Sequence, residues 1–268
     1  MNSQYVIGVF DSGIGGLWLL LELSKQMPGH DFIYFADSKY APWGTLTKEV
    51  LVNRSEEIAH FLIEHGCENI VIACNTATLQ CINHLRSKYT QRFFGIEPAV
   101  KPAKKVTKTG KIGLLATDGT LNSDRVKMLI SHSDDHTSFD FRRFPNVVEL
   151  LENGQSVSGV DTLSTIKNIL EDFKSKNIDT IILGCTHYRY LYDEIRSQAG
   201  IDFTVVEPVY DVARYIKNEL VTEDKMNPQC KDEVGKITIF TSGDNADIIK
   251  GYTSMLFPTR CLYIKSLF

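Results

Sequence analysis

Residues 68–78 read ENIVIACNTAT and residues 179–189 read DTIILGCTHYR. Each is a short run of β-branched apolar residues that ends on a small residue and a cysteine and then turns polar. A run of this length suits a strand buried on both faces, and the polar end suits a loop entering a helix. The same rhythm recurs in VIGVF at 6–10, IGLLA at 112–116 and ITIF at 237–240. Between these runs, SEEIAHFLIEHG at 55–66 and TLSTIKNILEDFKSKN at 162–177 carry apolar residues three and four apart, the spacing of amphipathic helices. Strands alternating with helices predict an α/β fold of mostly parallel sheets flanked by helices.

The chain also repeats itself once. YVIGVFDSGIGGL at 5–17 has the same strand, small-residue turn and helix start as GKIGLLATDGTL at 110–121. Ile96-Glu97-Pro98 is answered by Val206-Glu207-Pro208. The offsets are 105 from Gly8 to Gly113, 111 from Cys74 to Cys185 and 110 from Glu97 to Glu207. This predicts two similar lobes, with residues 1–98 plus 211–268 in the first and 99–210 in the second. The strand and helix at 236–257 are expected to dock on the first lobe. Each proline suits an extended crossing segment, because the residue before proline is pushed out of the helical region.

Bulk properties narrow the function. The 268 residues are 43% hydrophobic with a net charge of −4, and the basic residues are scattered, which excludes the electrostatic footprint of a nucleic-acid binder. No basic flank precedes an apolar stretch at the N-terminus, and no run approaches the roughly 20 apolar residues that span a bilayer. A cytoplasmic location is expected, with no membrane partner. Six cysteines, at 67, 74, 81, 185, 230 and 261, form no CxxC pair and no Cys/His knuckle, so neither a disulfide framework nor a metal is indicated. Cys67, Cys81, Cys230 and Cys261 read as small buried hydrophobes.

Cys74 and Cys185 read differently, because ligands of open α/β sheets bind beyond the carboxyl ends of the strands. With the lobes facing each other, the two sulfurs enter one cleft from opposite sides. That arrangement suits removing a proton from one face of a carbon and returning one to the other. Helices starting near Thr76 and His187 would help poise the thiols. Asn75, Thr76, Thr186 and His187 supply hydrogen-bonding groups and an imidazole, and Asp11 and Ser12 end the first strand where a carboxylate can assist Cys74 and a hydroxyl can bind substrate. The glycine loop Asp11-Ser12-Gly13-Ile14-Gly15-Gly16 admits an anion at a helix start, but it lacks the last glycine of GxGxxG and the lysine of a P-loop, so a substrate carboxylate fits as well as a phosphate. In Tyr40-Ala41-Pro42-Trp43-Gly44, a surface turn competes with a loop that closes over a ligand.

Taken together, GVFDSGIGGL, the YAPWG loop, ACNTAT, IEPAVKPA, LATDGT and LGCTHY, in this order and spacing, resemble the glutamate racemases along essentially the whole chain. The resemblance implies a homodimeric, two-lobed enzyme that needs no cofactor and interconverts L- and D-glutamate, the latter for peptidoglycan. It implies Cys74 and Cys185 as the proton-transfer pair, Asp11 and His187 as their assistants, and Asp11, Ser12, Trp43, Gly44, Asn75, Thr76, Thr186 and His187 as the glutamate site. Glu152, in VELLENG, matches a glutamate in a VPLVESG-like stretch of the family and is expected near the cleft. Two departures stand out: tryptophan replaces the usual tyrosine before Gly44, and RRFPNVVE lacks the cysteine-proline start common before Glu152. Three rival readings are an aspartate racemase, whose second motif usually reads Gly-Cys-Thr-Glu where this chain has Gly184-Cys185-Thr186-His187; a non-enzymatic anion- or nucleotide-binding module; and a thiol redox protein.

Overall fold

The computed structural model describes residues 6–131, 136–221, 234–260 and 262–267, so Cys230 and Cys261 lie outside the described residues. The first lobe is built from β1 (Val6–Asp11), α1 (Leu17–Gln26), β2 (Asp31–Ala36), α2 (Lys48–Glu64), β3 (Asn69–Ile72), α3 (Asn75–Lys88) and β4 (Arg92–Gly95). After Pro98 the chain crosses through α4 (Val100–Val106) into the second lobe, which runs β5 (Lys111–Leu115), α5 (Asp118–Leu121), α6 (Asp124–Ser131), β6 (Ser138–Arg142), α7 (Val147–Glu152), α8 (Val160–Ser175), β7 (Thr180–Leu183), α9 (Tyr192–Ala199) and β8 (Thr204–Val206). After Pro208, α10 (Val209–Val221) returns to pack on α1, and β9 (Ile237–Thr241), α11 (Ala246–Leu256) and β10 (Leu262–Ser266) complete the first lobe.

Both sheets are wholly parallel, and their orders repeat: β10-β9-β2-β1-β3-β4 in one and β6-β5-β7-β8 in the other. Strand β5 stands between β6 and β7 as β1 stands between β2 and β3. The registers correspond too, Gly8 facing Ile70 and Gly113 facing Ile181. β9 and β10 extend the first sheet beyond β2.

Residues on the strands alternate between two helix layers, which explains why the runs are apolar throughout rather than at every second position. In β1, Ile7 and Val9 pack with Leu20 of α1, Ile216 of α10 and Ile249 of α11, whereas Val6 and Phe10 pack with Ile58 of α2 and Leu85 of α3. In the second sheet, Ile112 and Leu114 meet Ala103 of α4 and Val126 of α6, while Leu115 and Ile181 meet Phe173 of α8. Helix α2 begins at Lys48 rather than near Ser55, because Thr47 caps it by accepting the Val50 N–H at 3.4 Å. Helix α8 gives way at Asn177, whose φ of 60° turns the chain while the Ile178 N–H returns to the Phe173 carbonyl. Among the described residues no helix is long and apolar enough to cross a membrane.

Phe173 is fully buried and rests on Gly113, where an added Cβ would lie 2.3 Å from the ring. Phe173→Ala therefore empties the centre of the second lobe. It is expected to lower the unfolding free energy by about 3–5 kcal/mol in urea denaturation.

Candidate active site

All the polar motifs gather at the carboxyl ends of the strands. Asp11 ends β1, Cys74 stands two residues beyond β3 and leads into α3, and Cys185 stands two residues beyond β7. Cys74, Cys185, Ser12, Trp43, Gly44, Asn75, Thr76, Thr186 and His187 line one cavity between the lobes. Asp11 and Glu152 stand behind that lining and hold it in place. Pro42, Thr117, Thr120 and Val148 complete the wall.

The two thiols have different surroundings. Burial, reinforced by the nearby Asp11 carboxylate, pushes the Cys74 thiol well above its ordinary value, against the N–H groups of Ala77 and Thr76 at the start of α3. At neutral pH Cys74 is a thiol. His187 lies beside the other cysteine. Its burial opposes the charged form, but hydrogen bonds to Cys185 and Glu152 outweigh burial and raise its pKa well above the ordinary value. Its Nε2 lies 2.7 Å from Glu152 Oε1, a contact that favours the charged ring. Burial also raises the Asp11 carboxyl, in spite of the His187 charge and the donors Ser12 N–H and Thr186 hydroxyl, which it accepts at 2.6 and 3.0 Å.

The sequence predicts a helix from His187, but Thr186–Leu191 form a 3-10 turn and α9 begins only at Tyr192. Tertiary contacts override local propensity here. His187 is held by Glu152, the Tyr188 hydroxyl accepts the Phe144 N–H at 3.1 Å, and the Tyr190 hydroxyl donates to the Ile14 carbonyl at 3.1 Å.

The glycine loop owes its composition to the opposite lobe rather than to a phosphate. A Cβ on Gly13 would fall 1.9 Å from Glu152 Oε1, and one on Gly15 would fall 2.4 Å from Thr186 Oγ1 and 2.6 Å from His187 Nδ1. Gly13 and Gly15 thus stand where second-lobe side chains press against the loop, while Gly16 packs on Ala73 and Tyr34 of its own lobe. Glu152 Oε1 accepts the Ile14 N–H at 2.7 Å, and Oε2 accepts the Ser38 hydroxyl at 3.1 Å. On the other side of the cavity, Thr76 Oγ1 lies 3.0 Å from Thr117 Oγ1 and 3.1 Å from Thr120 Oγ1, again joining the lobes. Thr117 and Thr120 lie in LATDGT, whose sequence pattern matches the first glycine loop without marking these hydroxyls as part of the site. The cavity thus enclosed measures about 20 Å³, room for about one water. Among the described residues, no group of three or more His, Cys, Asp or Glu is placed to share a metal ion.

These features define a two-lobed, parallel α/β enzyme whose chemistry lies in the cleft between related halves, with a titratable sulfur from each. Residues 22–214 match the sequence profile of the Asp/Glu/Hydantoin racemase family. The glutamate racemase of Herpetosiphon aurantiacus is 38% identical over 244 residues, covering 91% of this chain and 95% of that protein. The crystal structure of glutamate racemase isoform RacE1 from Bacillus anthracis matches with a TM-score of 0.86 at 26% identity, covering 100% of this chain and 98% of that one. That of Escherichia coli glutamate racemase, in complex with L-glutamate and the activator UDP-MurNAc-ala, matches with a TM-score of 0.80 at 27% identity, covering 97% and 98%. The chain belongs to the Asp/Glu/Hydantoin racemase family and is an amino-acid racemase.

The buried His187–Glu152 pair makes a pH-dependent prediction. A histidine whose pKa rises on folding adds stability that is complete below the unfolded value of about 6.5 and is lost as pH climbs through the folded value. Glu152→Gln is expected to cost about 1–3 kcal/mol at pH 6, and less as pH rises above neutrality. Urea unfolding of both proteins across that range checks it.

Proposed function

We propose that the chain interconverts L- and D-glutamate without a cofactor, with Cys74 and Cys185 as opposed acid and base. The observation that carries this reading is one cavity lined by a cysteine from each lobe, Cys74 pushed up by burial beside the Asp11 carboxylate and Cys185 beside the His187 ring. In one direction the Cys185 thiolate takes the α-proton while the Cys74 S–H protonates the other face of the same carbon; in the other direction the roles exchange. Each turnover leaves the proton on the opposite sulfur, and the resting distribution returns through solvent or a reverse turnover.

An α-proton is a weak acid, so charge developing on the carbon and its carboxylate must meet preorganised donors. Ser12, Asn75, Thr76 and Thr186 stand around the cavity to supply them. Asp11, whose carboxylate favours the protonated Cys74, and His187, beside Cys185, then assist the two sulfurs, and Glu152 holds the His187 ring. Glutamate as substrate is supported by the names of the relatives and by the L-glutamate complex of the E. coli protein. Because the cavity holds about one water, the lobes must part to admit an amino acid and close again to bring both sulfurs to it. Use of the D-glutamate in peptidoglycan, a cytoplasmic location and a homodimeric assembly are part of the same proposal and rest on the family resemblance.

The test is a chirally resolved assay of the dialysed protein with L-glutamate and, separately, L-aspartate. Conversion of glutamate without added cofactor is expected; conversion of aspartate alone would transfer the assignment to that substrate. Cys74→Ser and Cys185→Ser should each lower kcat/KM by about a hundred- to ten-thousand-fold. The loss must be equal in both directions, since the enantiomers have equal free energy. Normal turnover in either variant contradicts the two-thiol mechanism.

A further inference from the structure

One part of the first-lobe wall of the cavity, Pro42, Trp43 and Gly44, belongs to no long element. The chain leaves β2 at Ala36 and reaches α2 through two 3-10 turns, Ser38–Tyr40 and Trp43–Thr45. A buried carboxylate holds this segment. Asp37 is fully enclosed and both of its oxygens are engaged. Oδ2 accepts the indole N–H of Trp43 at 3.2 Å and Nε–H of Arg54 at 3.0 Å, and Oδ1 accepts from Arg54 Nη2 at 2.6 Å. Asp37 is tied to the catalytic end of the sheet as well, because its N–H donates to the Asp11 carbonyl at 3.0 Å. On the outer side the Arg54 guanidinium lies 4.1 Å from the centre of the Tyr40 ring, which roofs the pair.

Trp43 converts this anchorage into the shape of the wall. Its side chain does not fold over the cavity; it is buried in the first lobe, 6.3 Å from the Phe10 ring centre. The adjoining Gly44 presses on the second lobe so closely that a Cβ there would lie 2.8 Å from that of Thr117. A shift of the indole would therefore move the wall relative to both lobes. The tryptophan that departs from the family's usual tyrosine supplies the N–H that makes the link.

We propose that Asp37 and Arg54 are positioning residues for substrate binding, acting through the Trp43 indole to hold the Pro42–Gly44 wall at the depth of Asp11. The inference rests on the glutamate racemisation proposed above. Neither Asp37 nor Arg54 lines the cavity, and neither reaches the reacting carbon. Loosening the wall removes contacts made equally to substrate and transition state, which raises KM and spares kcat. A purely structural ion pair would lower thermal stability and leave KM alone.

Four proteins separate these outcomes: wild type, Trp43→Phe, Arg54→Ala and Arg54→Lys, assayed with both glutamate enantiomers and melted in parallel. Trp43→Phe keeps the ion pair and the aromatic packing and removes one hydrogen bond to a carboxylate. It should raise KM about tenfold in both directions, change kcat by less than about twofold, and lower the melting temperature by less than about 4 °C. Arg54→Ala should raise KM further, and Arg54→Lys should recover part of that loss; where Arg54→Ala does not fold, Trp43→Phe decides. An unchanged KM in Trp43→Phe, or a fall in kcat at unchanged KM, overturns the inference while an active wild type leaves the racemase reading standing. A wild type inert toward glutamate overturns both.

Discussion

The Glu152 carboxylate is where the parts of the molecule meet. One oxygen accepts the Ile14 N–H of the glycine loop and pairs with Nε2 of the His187 ring; the other accepts the Ser38 hydroxyl beyond β2. Two of those donors belong to the first lobe and one to the second, so a single carboxylate both closes the lobes and orients the ring beside Cys185. Breaking one partner of so buried a pair leaves an uncompensated charge, which costs far more than the pair itself contributes. Gly13 and Gly15 are consequences of that contact, since any larger residue would occupy the space that Glu152, Thr186 and His187 fill.

Around this contact a nearly symmetric scaffold carries an asymmetric site. The strand orders β2-β1-β3-β4 and β6-β5-β7-β8 bring one cysteine from each lobe to corresponding places. The proposed reaction needs one thiol and one thiolate, and the two cysteines stand in different surroundings. The asymmetry comes from the chain immediately after each cysteine. Cys74 enters a regular α-helix beside the Asp11 carboxylate, which favours the neutral thiol, whereas Cys185 enters a 3-10 turn whose second residue is His187, its pKa raised by its partners. The interruption of helical geometry at Thr186–Leu191 belongs to this difference, because Glu152, Phe144 and Ile14 hold its side chains.

Much of this is legible in the sequence, and the limit is physical. Apolar runs buried on both faces and amphipathic helices are local patterns, so the strands, the parallel sheets and the cysteines at strand ends can be read directly. The pairing of Glu152 with Ile14 spans 138 residues, and that of Asp11 with Thr186 spans 175. No local pattern encodes such contacts. For the same reason the glycine loop resembles an anion site when read alone, whereas its backbone is packed against another lobe. Asp37 and Arg54, 17 residues apart on different elements, carry no motif that would mark them. Thr117 and Thr120 lie in a recognisable segment, but only the closed arrangement of the lobes places their hydroxyls against Thr76.

Two sulfurs acting on opposite faces of one carbon leave a distinct isotope pattern during the first turnovers in deuterium oxide. L-glutamate is converted to a small extent, the enantiomers are separated, and deuterium at the α-carbon is measured in each by mass spectrometry. The newly formed D-glutamate is expected to carry deuterium from the opposing thiol while the recovered L-glutamate remains protiated. Deuterium entering the recovered L-glutamate as fast as the product would show a single group removing and returning the proton on one face, and would contradict the two-sulfur mechanism.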